Sequence, residues 1–104
     1  MIPIVEAHAD AASAVGRLLF DFNTEFDTAT PSADDLGRRF ADLLTRRDVL
    51  VLLAGDAHEP SGFAFLTLRP TPYYDGSLAQ LEELYVRPSR RDRGMRGRIS
   101  AWRW

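Results

Sequence analysis

Leu81-Glu82-Glu83-Leu84-Tyr85-Val86-Arg87-Pro88, followed by Ser89-Arg90-Arg91-Asp92-Arg93-Gly94-Met95-Arg96-Gly97, reads as a strand that runs into an arginine-rich glycine turn. The strand turns apolar toward its end and stops at a proline, which has no N–H to continue a ladder. The turn leads into Arg98-Ile99-Ser100-Ala101-Trp102, the start of a helix. A glycine turn between a strand and a helix presents backbone N–H groups that can hold a phosphate. Arginines around it add fixed positive charge.

Working outward, three more strands and two helices precede this stretch. Ile2 to Ala7 is short and β-branched, with Pro3 at a strand start or edge. Ala12, Val15, Leu18, Leu19, Phe22 and Phe26 recur at three- and four-residue spacing and predict one helix, with Asp10 in its first turn. Thr28 to Pro31 breaks that pattern. Ser32-Ala33-Asp34-Asp35 has capping-box spacing, and Leu36, Phe40, Leu43 and Leu44 predict a second helix to about Arg47. Val49 to Ala54 is a buried strand, Gly62 to Leu68 a third, and Ser77 to Val86 the fourth. Ala57 to Ser61 and Arg69 to Gly76 are connections. Three strands with short links predict an antiparallel meander. The fold class is therefore α/β, a mainly antiparallel four-stranded sheet with two helices between strands one and two.

At 104 residues the chain is one domain at most. Without cysteine it has no disulfide, thiolate metal site or cysteine nucleophile. No apolar run approaches the roughly 20 residues of a membrane helix, and no signal-peptide pattern opens the chain, so the expectation is a soluble, cytoplasmic protein. Charge is uneven: residues 1–86 hold 6 Arg against 14 acids, a net of −8, and residues 87–104 hold 7 Arg against Asp92, a net of +6. His8 and His58 are far apart and make no ligand spacing, so no metal site is expected.

Leu81 to Pro88 with Arg91 and Gly94 resembles the central motif of the GNAT acetyltransferase superfamily. There, a strand of the form L-E-D-L-Y-V-x-P enters a turn of the form R-G-x-G-x-G or R-x-x-G-x-G/A. Asp92 stands where a first glycine is common, and Arg96 where the last Gly or Ala is expected; Gly97-Arg98 restores the pattern after one skipped residue. The order of elements is also the first half of the GNAT fold. The resemblance covers the whole of residues 1–104 and about two-thirds of a family domain, so an incomplete GNAT-like domain is expected. Arg96 to Trp104 reads as a truncated or frame-shifted tail.

The resemblance implies acetyl transfer from acetyl-CoA to an amine of a small molecule or peptide, with polyamines and aminoglycosides as relatives' acceptors. An alkylammonium must lose a proton before it attacks a thioester. By resemblance Glu82 is the base that takes it. Side chains alternate along a strand, so Glu82 and Glu83 are expected on opposite faces; without the family, either is an ordinary solvated strand residue. Glu83, Tyr73 and Tyr74 are expected to contact the acceptor, though loop aromatics can equally cover the core. The resemblance gives Leu84, Tyr85 and Val86 a backbone role beside the pantetheine arm. It makes Arg91, Asp92, Arg93, Gly94, Met95, Arg96 and Gly97 the pyrophosphate cradle. Asp92 opposes a phosphate, and Arg96 is bulky where a small residue is usual, so weak binding and little or no transfer are expected of residues 1–104.

Two other readings compete. The sheet edge at strand four could pair with a second chain, giving an inactive homodimeric or larger remnant. The arginine-rich end with Trp102 and Trp104 could grip nucleic acid or another polyanion. The acidic remainder of the chain and the lack of a nucleic-acid motif oppose this last reading.

Overall fold

The computed structural model describes residues 2–73 and 75–90. Residues 91–97, and with them the whole expected phosphate cradle, lie outside the described residues, as does Tyr74.

The strands are β1 (Ile4–Glu6), β2 (Val49–Gly55), β3 (Pro60–Pro70) and β4 (Ser77–Val86); the helices are α1 (Ala12–Glu25) and α2 (Ala33–Leu43). They form one sheet in the order β1-β2-β3-β4, antiparallel throughout, as the meander pattern predicts. β4 has β3 on one side and, among the described residues, no strand on the other. β4 matches the expected span. β1 is shorter than Ile2 to Ala7, and β3 is longer than Gly62 to Leu68. α2 ends at Leu43 rather than near Arg47, because turn bonds from Thr45 N–H to Asp42 O and from Arg46 N–H to Leu43 O replace the helical ladder. No helix among the described residues is long and apolar enough to cross a membrane.

Both helices pack on one face of the sheet. Alternation along β2 and β3 sends Val51, Leu53 and Phe63 to that face. There they meet Val15 and Leu18 of α1 and Phe40 of α2, and Tyr85 of β4 joins them, all buried. Each such aliphatic or aromatic side chain contributes about 1.5–3 kcal/mol on burial. The other face carries a smaller cluster, in which Ile2, Ile4 and Leu84 pack on buried Ala54 and Val86.

Local chemistry sets the helix ends. Asp10 falls in a 3-10 turn, Ala9–Ala11, that leads into α1. At the far end Thr28 N–H bonds to Asn23 O and Asp27 N–H to Thr24 O, a Schellman closure with Asp27 at φ 53°. A glycine is usual there, and aspartate is among the few other residues that adopt this conformation readily. The closure carries Phe26 out of the helical stripe to 57% exposure, where it meets Phe22 edge-on. Ser32 caps α2 by accepting from Asp35 N–H at 3.1 Å. Only this half of the expected capping box is seen, since the Asp35 carboxylate accepts from Arg38 one turn on.

Candidate active site

The central event on β4 is a bulge. Between β3 and β4, Phe65 pairs with Glu83 but Leu66 pairs with Leu81, so Glu82 has no cross-strand partner. An inserted residue shifts the alternation of everything on one side of it. Leu81 therefore shares a face with Leu84 and Val86, although three residues, not two, separate it from Leu84. Glu83, opposite Phe65, lies on the helix-bearing face with Tyr85.

This changes the expected arrangement of the two carboxylates. Strict alternation predicts opposite faces for Glu82 and Glu83. Instead, Thr67 Oγ1 donates to Glu82 Oε2 at 3.0 Å. Thr67 has the parity of Phe63 and Phe65, so this bond draws the Glu82 carboxylate toward the face that carries Glu83. Glu82 is exposed and Glu83 half-buried. Loss of water around Glu83 pushes its carboxyl above the ordinary glutamate range, and the nearby Glu82 charge adds to the rise.

The raised Glu83 has a consequence for stability. Its folded-state affinity for a proton exceeds its unfolded one, so ionising it weakens the fold. That penalty is complete above the raised value, shrinks as pH falls through it, and is gone below the ordinary glutamate range. Glu83→Gln is therefore expected to raise the melting temperature at about pH 7, with the gain vanishing at about pH 3. Thermal melts of the two proteins across that range check this.

The end of β4 is tied to α1. Tyr85 stacks on Phe22 with ring centroids 4.8 Å apart. Its hydroxyl donates to Glu25 Oε1 at 2.9 Å. Arg87 Nη1 donates to Asp21 Oδ2 at 2.7 Å. Arg87 N–H also bonds to Ser61 O at 2.8 Å, which turns its amide toward β3. By alternation the N–H and C=O of Leu84 face the other way, toward the sheet edge. A cleft of about 290 Å³ opens beside this strand end, lined by Glu59, Pro60, Ser61, Arg87 and Ser89. A larger groove of about 580 Å³ between α1 and α2 is lined mainly by small residues and contains neither carboxylate.

Glu82, Glu83, Leu84, Tyr85 and Val86 are thus brought to one strand, with the two carboxylates at its bulge. Tyr73 is 88% exposed in the β3–β4 connection and lines neither of these two cavities. Thr67, Asp21, Glu25 and Arg87 were not singled out by the sequence. Among the described residues no group of His, Asp and Glu is placed to hold a metal ion.

No family model and no curated protein matches this sequence. Solved structures do. A protein from Arthrobacter sp. FB24, assigned as an acetyltransferase, is 43% identical with a TM-score of 0.82, over 95% of this chain and 62% of its own. An integron cassette protein from the mobile metagenome of Cole Harbour Salt Marsh is 29% identical with a TM-score of 0.73, over 88% of this chain and 60% of its own. An aminoglycoside acetyltransferase from an uncultured soil metagenomic sample shares the fold at 16% identity, with a TM-score of 0.74, over 96% of this chain and 65% of its own. The chain therefore spans less than two-thirds of the length of the Arthrobacter relative. With the meander order, the two helices on one face and the strand–turn motif, this likeness assigns the chain to the GNAT acetyltransferase superfamily, of whose fold it carries the N-terminal part.

Proposed function

We propose that this chain serves N-acetyl transfer, with acetyl-CoA as donor and an amine of a small molecule or peptide as acceptor. The observation that carries the reading is the bulge in edge strand β4, which sets Glu82 outside the ladder just ahead of the arginine–glycine turn. The residues present suit the donor. The Leu84 N–H and C=O face the edge, where an extended amide chain can pair as another strand would. The cleft at the strand end offers Ser61 and Ser89 as polar neighbours, with Glu59 also on its wall. Next along the sequence, Arg91 and Arg93 have the charge, and Gly94 the small size, that binding of a pyrophosphate calls for.

The chemistry asked of the protein is modest. An ammonium gives up its proton to Glu82, directly or through water, and the free amine attacks the acetyl carbonyl. The carbon–nitrogen bond forms as the carbon–sulfur bond breaks, and the departing thiolate takes up the second proton that the attacking nitrogen sheds. Glu82 suits the task because it is exposed to an incoming amine while Thr67 holds one of its oxygens. The neighbouring Glu83 adds negative charge that favours a cationic acceptor.

The test is amine-dependent thiol release from acetyl-CoA over a panel of polyamines, aminoglycosides and peptide amines. It is run on the 104-residue chain and on a chimera that continues into the remaining part of the Arthrobacter relative. The chimera is expected to turn over, and the 104-residue chain to show little transfer. A chimera that folds but releases no thiol with any amine would contradict the reading.

A further inference from the structure

We infer that Asp21 and Arg87 form a positioning strut, by which helix α1 fixes the end of β4, where the Leu84 backbone faces the sheet edge and is to pair with acetyl-CoA. The inference rests on the acetyl-CoA reading above and assigns new residues to it.

Three contacts join the same two short segments. On α1, Asp21, Phe22 and Glu25 lie within one turn, with the two carboxylates at i and i+4. On the strand side, Tyr85 and Arg87 are two apart and so share a face. Arg87 reaches Asp21 at 2.7 Å, Tyr85 Oη reaches Glu25 at 2.9 Å, and the Phe22 and Tyr85 rings stack between them with an interplanar angle of 19°. Polar contacts on either side of a ring stack resist both sliding and rotation of the strand end.

The Asp21–Arg87 pair differs from the other ion pairs of the described residues. Its side chains are 33% and 29% exposed, whereas Arg38–Asp35 and Arg46–Asp48 lie open to solvent. Shielded pairs are screened less and hold their geometry better. The pair also joins elements 66 residues apart in sequence, while the other two are local. Arg87 is held on both sides: its guanidinium by α1, its N–H by Ser61 of β3. Pro88 comes next and opens a 3-10 turn, Pro88–Arg90, that leads directly to Arg91. Any tilt of Arg87 is thus shared with the adjoining backbone of Leu84 to Val86. With its guanidinium drawn to Asp21, Arg87 acts here through the backbone and not as a phosphate ligand.

The experiment follows acetyl-CoA binding to the 104-residue chain by ligand-observed NMR titration. Asp21→Asn is expected to weaken binding about fivefold or more. The charge swap Asp21→Arg with Arg87→Asp is expected to return the affinity to within about twofold of wild type. Arg46→Gln, which removes the exposed pair with Asp48, is expected to leave binding unchanged. Should Asp21→Asn not fold, the swapped protein decides alone: near-wild-type affinity supports the strut, and lost affinity overturns it. A lowered melting temperature with unchanged affinity shows a merely structural pair and overturns the inference, as does a swap that folds yet stays weak. Wild-type chain that fails to bind acetyl-CoA at all overturns the functional reading, and the strut with it.

Discussion

Replacing Glu82 by Gln in the active chimera is expected to cut amine-dependent thiol release by about 10²–10⁴-fold, the usual worth of a positioned acid or base. Glutamine preserves the volume and can still accept from Thr67, but it cannot take the ammonium proton. The loss should fall on turnover, with acetyl-CoA affinity unchanged, because the glycine turn is left intact. Raising the pH toward the acceptor's own pKa should recover part of the activity, since more free amine is then present. Glu83→Gln in the same chimera should cost much less. Steady-state kinetics of the two variants against pH check this. An active Glu82→Gln protein would move the base to another residue, with the neighbouring Glu83 carboxylate the first to test.

The second large effect concerns the fold itself. α1 and α2 cross at Gly16 and Gly37, backbone against backbone. A Cβ built on Gly16 would lie 2.5 Å from Gly37 N and 2.7 Å from Gly37 Cα. Real Cβ atoms do not approach backbone so closely, and helix backbone cannot swing aside as a side-chain tip can. Gly16→Ala must therefore push the helices apart, opening gaps around Val15, Leu18 and Phe40. The expected cost is about 3 kcal/mol, the upper end for overpacking, against a total stability of about 5–15 kcal/mol for a domain. It outweighs the fraction of a kcal/mol to 1 kcal/mol that Gly→Ala gains in helix propensity. The mirror change is a useful contrast: a Cβ on Gly37 meets nothing closer than 3.5 Å, so Gly37→Ala should be tolerated. Chemical denaturation of both variants distinguishes them.

Sequence periodicity was enough for the architecture, because each element has its own apolar pattern. Leu18 and Phe40 mark helical stripes, Val51 and Leu53 a buried strand, and the short connections force antiparallel neighbours. The boundaries moved where turn bonds competed with the helix, as at Thr45 and Arg46. The bulge was the main feature missed. Its trace was present in the spacing of Leu81 and Leu84, which share a face despite being three apart, with two glutamates between them. Alternation alone sent Glu82 and Glu83 to opposite faces, and the register shift annuls that rule at this one place. The ties from Asp21 and Glu25 to β4 were not legible, since helix carboxylates carry no sign in the sequence of a partner some 60 residues away. Gly16 and Gly37 carried a signal that was not used: glycine is costly inside a helix, and its presence there points to a close approach.

The most direct test of the central claim is a calorimetric titration of acetyl-CoA into the 104-residue chain, beside Gly94→Val and Arg91→Ala. The account predicts one-to-one binding, weaker than that of a complete family member because Asp92 and Arg96 depart from the family's turn sequence. Gly94→Val should abolish it by blocking the backbone approach. Arg91→Ala should weaken it by about 1.5–3 kcal/mol, the worth of a hydrogen bond to a charged group. Melting temperatures of both variants should stay near the wild-type value. Absence of binding by the wild type, or binding that survives Gly94→Val unchanged, would contradict the claim that this strand and turn are built to hold acetyl-CoA.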